Sequence, residues 1–365
     1  MNTEAPANPV FKGANPFGVE SDHYARLGTP ERGVPMWSET YYWSAWNPEA
    51  GVGVYVHMGV DLEDKELLWA QTFAYLPGQM VVADRSFGRS AERRNPMTAN
   101  FTARCTEPLR RWTLRFDGAG ELVSCAEMAT RLVGAGPAVA MSFEVDWIAT
   151  MPVWDLFKAV PIGSSDIGHV HHEQVGVSRG WLRVQHPRHG GEWRLDGTAF
   201  RDHSRGPRDV RPFGGDHLLG VYFPGTQRSL QILMFWDKEG KILFRTASLH
   251  QGDELEIIPE VEMTGIERDA IRPRSLHDLL GNPKTFEIRL NTRRGPVTLQ
   301  GQVLHTVNIS VMDANTNVNG SAIEIPGDHL VLAECQAQVR WPDGDTGYGF
   351  FERTYKKSLL AAARP

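Results

Sequence analysis

The sequence predicts an all-β protein of two consecutive sheet-rich halves, built as antiparallel barrels or sandwiches. Three observations lead there: many short aromatic and β-branched runs bounded by turn residues, few and short helix candidates, and no strand–helix–strand alternation. A chain of 365 residues is long for one domain, since about 100–200 residues per domain is usual. The pattern divides it into an irregular arm over 1–35, a first β-domain over 36–195 and a second over 196–365.

The arm is polar and rich in Pro, Asn and Gly. Strand grammar starts with the aromatic run Glu39–Trp46, turns at Asn47-Pro48-Glu49-Ala50-Gly51 and resumes over Val52–Met58, which reads as a hairpin. Further strands are expected at Leu67–Tyr75, Met80–Ala83, Trp112–Phe116, Glu121–Leu132 and Met141–Ile148, with a turn at Asp117-Gly118-Ala119-Gly120. Met151–Ser165 breaks the pattern with a short helix or lid. Strands return at His171–Gln185, Glu192–Phe200, His217–Phe223, Ser229–Trp236, Lys241–Leu249 and Leu255–Glu262. The last four are Thr285–Asn291, Val297–Val311, His329–Trp341 and Gly349–Tyr355. Short helices are expected at Arg268–Ile271, Leu276–Leu280 and Ser358–Ala363.

Composition excludes several classes. A net charge of −6 disfavours nucleic acid and anionic membranes as partners. Arg93-Arg94, Arg110-Arg111 and Arg293-Arg294 are too short to make a basic surface. No run approaches 18 apolar residues, so no integral membrane association is expected. Cys105, Cys125 and Cys335 make an odd count without metal-like spacing. With no basic-then-apolar leader, that count favours a reducing, cytoplasmic location. There is no Gly-x-Gly-x-x-Gly after a strand, no Walker A loop, no Gly-x-Ser-x-Gly and no His-Glu-x-x-His. No cofactor is therefore expected. The aromatic content, with 11 Trp and 16 Phe, suits both a β core and a cavity for a hydrophobic small molecule. The oligomeric state stays open, a homodimer included.

Two clusters carry candidate chemistry. Gly197–Asp209 packs Arg201, Asp202, His203, Arg205, Arg208 and Asp209 into nine residues straight after a strand. Partly buried, each carboxylate needs a partner, because an unpaired buried charge costs several kcal/mol. The arginines would clamp Asp202 and Asp209, leaving Asp202 or His203 to face a pocket; a salt-bridge knot joining the halves is the alternative. In the second cluster, strand alternation puts His169, His171 and Glu173 on one face. That set suits a metal ion, or a sheet face turned to a ligand.

The text Gly-x-x-x-Arg-Asp-His-Ser-x-Gly-x-Arg-Asp, Gly197 to Asp209, resembles the central motif of carotenoid 1,2-hydratase and hydroxyneurosporene synthase-like proteins and their lipocalin-like two-domain relatives. The hairpin Glu39–Met58 and the strand His171–Gln174 sit where that group has them, so the resemblance runs from about residue 36. Arg205 departs from it, since many relatives carry Trp there. The resemblance implies two consecutive lipocalin-like β-barrels with few short helices and a hydrophobic cavity near their junction. It implies a cofactor-independent lyase or isomerase, of hydratase, dehydratase or cyclase type, acting on a terpenoid, steroid-like or aromatic substrate. The motif carries over onto Arg201, Asp202, His203, Ser204, Arg208 and Asp209.

That chemistry has a physical basis. Adding water to an alkene needs a proton donor, and a carboxyl group desolvated in an apolar cavity has a raised pKa. We therefore expect Asp202 as acid/base, His203 and His171 as its partners, and Arg201, Arg208 and Asp209 as the electrostatic frame. Trp43, Trp46, Trp181, Trp236 and Glu173 are expected against the substrate, aromatic faces stabilising positive charge. The rival readings are a non-catalytic carrier of a lipophilic molecule and a metal-dependent enzyme built on His169, His171 and Glu173.

Overall fold

A computed structural model describes residues 11, 13–31, 33–89, 93–159, 169–264, 285–312 and 316–361. It is all-β, with about 65% strand and 5% helix. The first sheet is made by β1 (Trp37–Asn47), β2 (Val52–Val60), β3 (Leu67–Leu76), β4 (Met80–Arg89), β5 (Phe101–Glu107), β6 (Arg111–Ser124), β7 (Ala138–Ala149), β8 (Trp154–Asp155), β9 (Val170–Gln185), β10 (Gly191–Arg194) and β11 (Gly197–Pro207). Eight of them close a ring, β1-β2-β3-β4-β6-β7-β9-β11, because β6 pairs β7, β7 pairs β9 and β11 returns to β1. Eight strands give an interior that side chains just fill.

The second sheet runs β12 (Phe213–Phe223), β13 (Arg228–Asp237), β14 (Ile242–Gln251), β15 (Glu254–Ile258), β16 (Val261–Thr264), β17 (Thr285–Thr292), β18 (Gly295–Val311), β19 (Asn317–Asn319), β20 (Leu330–Arg340) and β21 (Thr346–Lys356). Its order is β15-β14-β13-β12-β21-β20-β18-β17-β16, with β19 against β18. Among the described residues β15 and β16 remain its edges. Among the described residues the helices are short: α1 (Ser21–Ala25), α2 (Cys125–Met128), α3 (Leu156–Ala159) and α4 (Lys357–Ala361). None is long and apolar enough to cross a membrane.

Burial of both faces explains why β1 carries aromatics at the successive positions Tyr41, Tyr42 and Trp43 rather than at alternate ones. Tyr41, Trp43 and Ala45 fill the first barrel, whereas Tyr42 and Trp46 join a separate apolar cluster between the sheets. The second sheet has its own core around Leu219, Ile232, Trp236 and Phe351. Three cores thus lie in line, and the middle one joins the two sheets. Phe200 of β11 stacks on Phe350 of β21 there, with ring centroids 5.2 Å apart.

The structure corrects several expectations. Asp117–Gly120 is no turn: β6 runs through it, paired with β7 from Arg111 to Glu121. Gly120 serves close approach instead, since a Cβ there would come 2.5 Å from the Ala83 carbonyl oxygen. Glu192–Phe200 is two strands, and the charged motif that follows is itself strand, β11, belonging to the first sheet. Sheet membership therefore changes between Pro207 and Phe213 rather than at residue 196. The arm is not wholly irregular, because Tyr24 after the start of α1 is buried in the first core and its hydroxyl donates to Gln174 Oε1 at 3.0 Å. The break at Met151–Ser165 contains β8 and α3. Its residues 160–165, and the helices expected at 268–271 and 276–280, lie outside the described residues.

Candidate active site between the two sheets

β11 sorts its charged residues by parity. Odd positions point into the first barrel. Arg201 is fully buried, its guanidinium 4.0 Å from the Tyr24 ring centroid and within 5.6 Å of Tyr41 and Trp112. His203 stacks on Tyr41 at 4.0 Å and its Nε2 lies 2.8 Å from Glu39 Oε1. Burial pushes the Glu39 carboxyl up to about 7, against the pull of Arg205, and holds His203 well below the usual imidazole range. Even positions face the second sheet. There Asp202 and Ser204 border a cavity of about 120 Å³.

The neighbouring strands supply the rest of this wall. β9 runs antiparallel to β11 with His171 opposite Ser204 and Glu173 opposite Asp202. His171 Nε2 lies 3.0 Å from Asp202 Oδ2 and 3.1 Å from Glu173 Oε1, so one imidazole sits between two buried carboxyls. Burial would lower the His171 pKa, but Asp202 and Glu173 outweigh it and push it up to about 10. Burial would raise Asp202, and His171 with Arg208 more than reverses that, holding the carboxyl below its usual range. Glu173 is pushed up to about 7, by burial first and against His171. Asp202 is thus a carboxylate and His171 an imidazolium at neutral pH. Tyr42, Thr40 and His57, on β1 and β2, complete the wall.

The opposite wall belongs to the second sheet. Leu218, Leu233, Phe235, Leu332 and Phe350 make it apolar, and three carboxyls interrupt it: Asp216 on β12, Glu352 on β21 and Glu334 on β20. A β-bulge between Phe213 and Gly215, with Gly215 at φ 153°, precedes Asp216. Bulges re-aim side chains next to sites of this kind. Burial, reinforced by Glu352, holds Asp216 well above the usual carboxylate range; burial also raises Glu334 and Glu352.

Expected residues fall in three places. Asp202, His171, Arg208 and Asp209 border the cavity with Ser204, and Glu173 lies behind His171. Arg201 and His203 do not border it, because they occupy the other face of their strand. None of the four tryptophans reaches it. Trp43 is stacked on Tyr41 inside the first barrel, Trp46 packs near Tyr75 in the middle cluster, and Trp236 lies in the second core. Trp181 is half-buried under Arg183. Tyr42, Phe235 and Phe350 supply aromatic surface at the cavity instead.

The expected arginine clamp also resolves differently. Asp202 is held by His171, Asp209 by Arg211 at 2.7 Å, and Arg208 donates to Ser204 Oγ at 2.6 Å. His169 turns away to Glu31, 3.2 Å distant. The group close enough to share a cation is His171, Glu173 and Asp202, whose ligand atoms lie within 4.8 Å.

Asp216 and Glu334 were not singled out in the sequence. The signal that marks them is a carboxylate at a position where strand alternation requires an apolar residue: Asp216 precedes Leu218, Glu334 follows Leu332, and Glu352 follows Phe350.

Comparison with known proteins agrees with this architecture. In fold the chain resembles a protein of Nitrosomonas europaea assigned as AttH (TM-score 0.56, 14% identity, 95% of this chain and 99% of that one). It also resembles kievitone hydratase from Nectria haematococca (TM-score 0.53, 12% identity, 96% and 98%) and CghA (TM-score 0.51, 9% identity, 94% and 97%). These similarities carry the two-domain lipocalin-like fold; the carotenoid-specific part of the resemblance rests on the Gly197–Asp209 motif alone. No curated protein sequence matches the chain. Residues 20–356 match one family throughout, and the chain belongs to it: DUF7064, a domain of unknown function.

Proposed function

We propose that this protein is a cofactor-independent acid–base lyase or isomerase that adds water to, removes water from, or cyclises an apolar small molecule held between the two sheets. The observation that carries the reading is the Asp202–His171 contact, 3.0 Å long, at the edge of an apolar-walled cavity. A carboxylate positioned by an imidazolium is a weak base, sufficient to take the acidified proton from the carbon beside a cationic centre and release it to solvent. Burial of the site strengthens each electrostatic contact, and the Tyr42 and Phe350 faces border the cavity in which a cationic carbon would form. A neighbour in fold, the Nectria protein, is named as a hydratase, which agrees with this reaction class. A sealed carrier would keep its charged groups away from the ligand; here Asp202 borders the hollow.

The test is turnover of apolar alkenes and tertiary or allylic alcohols in ¹⁸O-labelled water, read by mass. Asp202→Asn is expected to lose at least about 10²-fold in rate, the usual scale of acid–base assistance, with the fold unchanged by circular dichroism. Full turnover in that variant would exclude Asp202 as the base.

A further inference from the structure

The second-sheet wall carries more acid than its surroundings neutralise. Glu352 stands directly across from Glu334 in the β20–β21 ladder and across from Leu218 in the β12–β21 ladder. Asp216, two residues before Leu218, shares that face. Three adjacent strands therefore present three carboxyls in a row, all bordering the cavity.

Their neighbours are hydroxyls. Thr354 Oγ1 donates to Glu352 Oε1 at 2.7 Å, and the Tyr55 hydroxyl donates to Glu334 Oε1 at 3.3 Å. The guanidinium bordering the cavity, Arg208, is bonded to Ser204 on the other wall. The imidazolium of His171 is engaged by Asp202 and Glu173, and His57, pushed down to about 4 by burial, is neutral. Asp202 and Asp209 add negative charge on the far side. Glu334 is 2% exposed and Asp216 9%, and Glu334 Oε2 and Asp216 Oδ1 have no hydrogen-bond partner. Carboxylates this close in an apolar site cannot all be ionised, so at least one proton is retained and shared among them.

We propose that Asp216, Glu352 and Glu334 form a shared-proton row that donates to an oxygen atom of the ligand. The cavity then takes an uncharged apolar molecule bearing a hydroxyl or carbonyl oxygen and rejects carboxylates and phosphates. The catalytic use of the row rests on the acid–base reading above; its shared proton does not. In a dehydration the row protonates the substrate hydroxyl, the C–O bond breaks with its electron pair leaving on water, and Asp202 takes the proton from the adjacent carbon as the C=C bond forms. Asp202 then releases that proton to solvent and the row regains one. Hydration runs the same steps in reverse.

Two measurements on the full chain test this. The infrared difference between wild type and Asp216→Asn, or between wild type and Glu352→Gln, at pH 7 should show the C=O stretch of a protonated carboxyl, shifted in D₂O, over and above the bands of Glu39 and Glu173 that the two proteins share. Calorimetry with acetophenone and the near-isosteric anion benzoate should give at least about tenfold tighter binding of the ketone. A few such charge-linked contacts suffice for that ratio, since 1.4 kcal/mol is tenfold. The preference should fall below about threefold in Glu352→Gln, where the row has lost a charge. Absence of the band overturns the shared proton; benzoate binding as tightly as acetophenone, or no acetophenone binding, overturns the ligand class. If both results hold while Asp202→Asn turns over normally, the row stands and the acid–base reading falls.

Discussion

The two walls of the cavity bury similar carboxyls and treat them in opposite ways. On the first-barrel wall Asp202 has a cation, His171, at 3.0 Å and is held ionised. On the second-sheet wall Asp216, Glu352 and Glu334 have hydroxyls and one another for company, and burial holds them above the ordinary range. Burial is the same disfavouring force on both sides; the presence of one imidazole decides which way it resolves. The base and the acid proposed above thus face each other across the cavity, an arrangement suited to proton transfer to and from a substrate.

The comparison breaks most visibly at His171. His171→Leu leaves Asp202 and Glu173 beside each other with only Arg208 to offset Asp202, and removing one partner of a buried pair costs about 3–5 kcal/mol. Urea unfolding at pH 6 should show a loss of that size. The pH dependence gives the sign. The His171 pKa in the folded state, about 10, lies above its ordinary 6.5, so its contribution is complete below 6.5 and disappears as pH rises towards 10. Asp202 is depressed below its ordinary 3.8, so its contribution is present above that value and disappears in acid. A wild-type-minus-His171→Leu difference that stayed flat from pH 6 to 10 would remove the imidazolium from this account.

The second wall should behave in the opposite sense, with a smaller effect. A carboxyl raised in the folded state retains its proton after the unfolded chain has lost one, so stability falls as pH climbs above the ordinary 4.5 of Glu352. Replacing it with a neutral amide removes that penalty. Glu352→Gln should therefore be more stable than wild type at pH 8, and the gain should shrink towards pH 5. Thermal unfolding across that range reads it directly. A gain that is largest in acid would mean that Glu352 is held ionised, as Asp202 is.

What the sequence reveals follows the same division. The all-β class and most strands are legible because strand alternation and turn residues are local signals. Asp202 and His171 are legible because charge density within a short segment is local too. Asp216 and Glu334 are not, since each is a single acid in an apolar strand and only the β20–β21–β12 pairing gathers them with Glu352. Parity is the instructive error. Arg201–Asp209 reads as a charged segment following a strand, with its charges acting together, but as strand it sends Arg201 and His203 one way and Asp202 and Ser204 the other. The tryptophans fail for a related reason: in β1 both faces are buried, and the aromatic residue adjacent to Asp202 is Tyr42, its partner in the β1–β11 ladder, not Trp43.

That parity supplies the prediction with the smallest expected effect. His203 adjoins Asp202 in sequence, yet its ring is stacked on Tyr41 and its Nε2 meets Glu39 at 2.8 Å, all inside the first barrel. Glu39, pushed up to about 7 and also accepting from the Gly28 N–H at 2.7 Å, is half protonated near neutrality, so the pair is a hydrogen bond between weakly charged groups. His203→Gln preserves a polar partner for Glu39 and should alter the rate per folded molecule by no more than about threefold, against the 10²-fold expected for Asp202→Asn. It should cost stability through lost stacking on Tyr41, about 1 kcal/mol, and so move the unfolding midpoint without moving the pH–rate profile. Because a single peptide bond separates the two positions, a loss of rate in His203→Gln comparable to that of Asp202→Asn would mean that the chemistry reaches through the barrel wall, and the cavity between the sheets would no longer be the place to look for it.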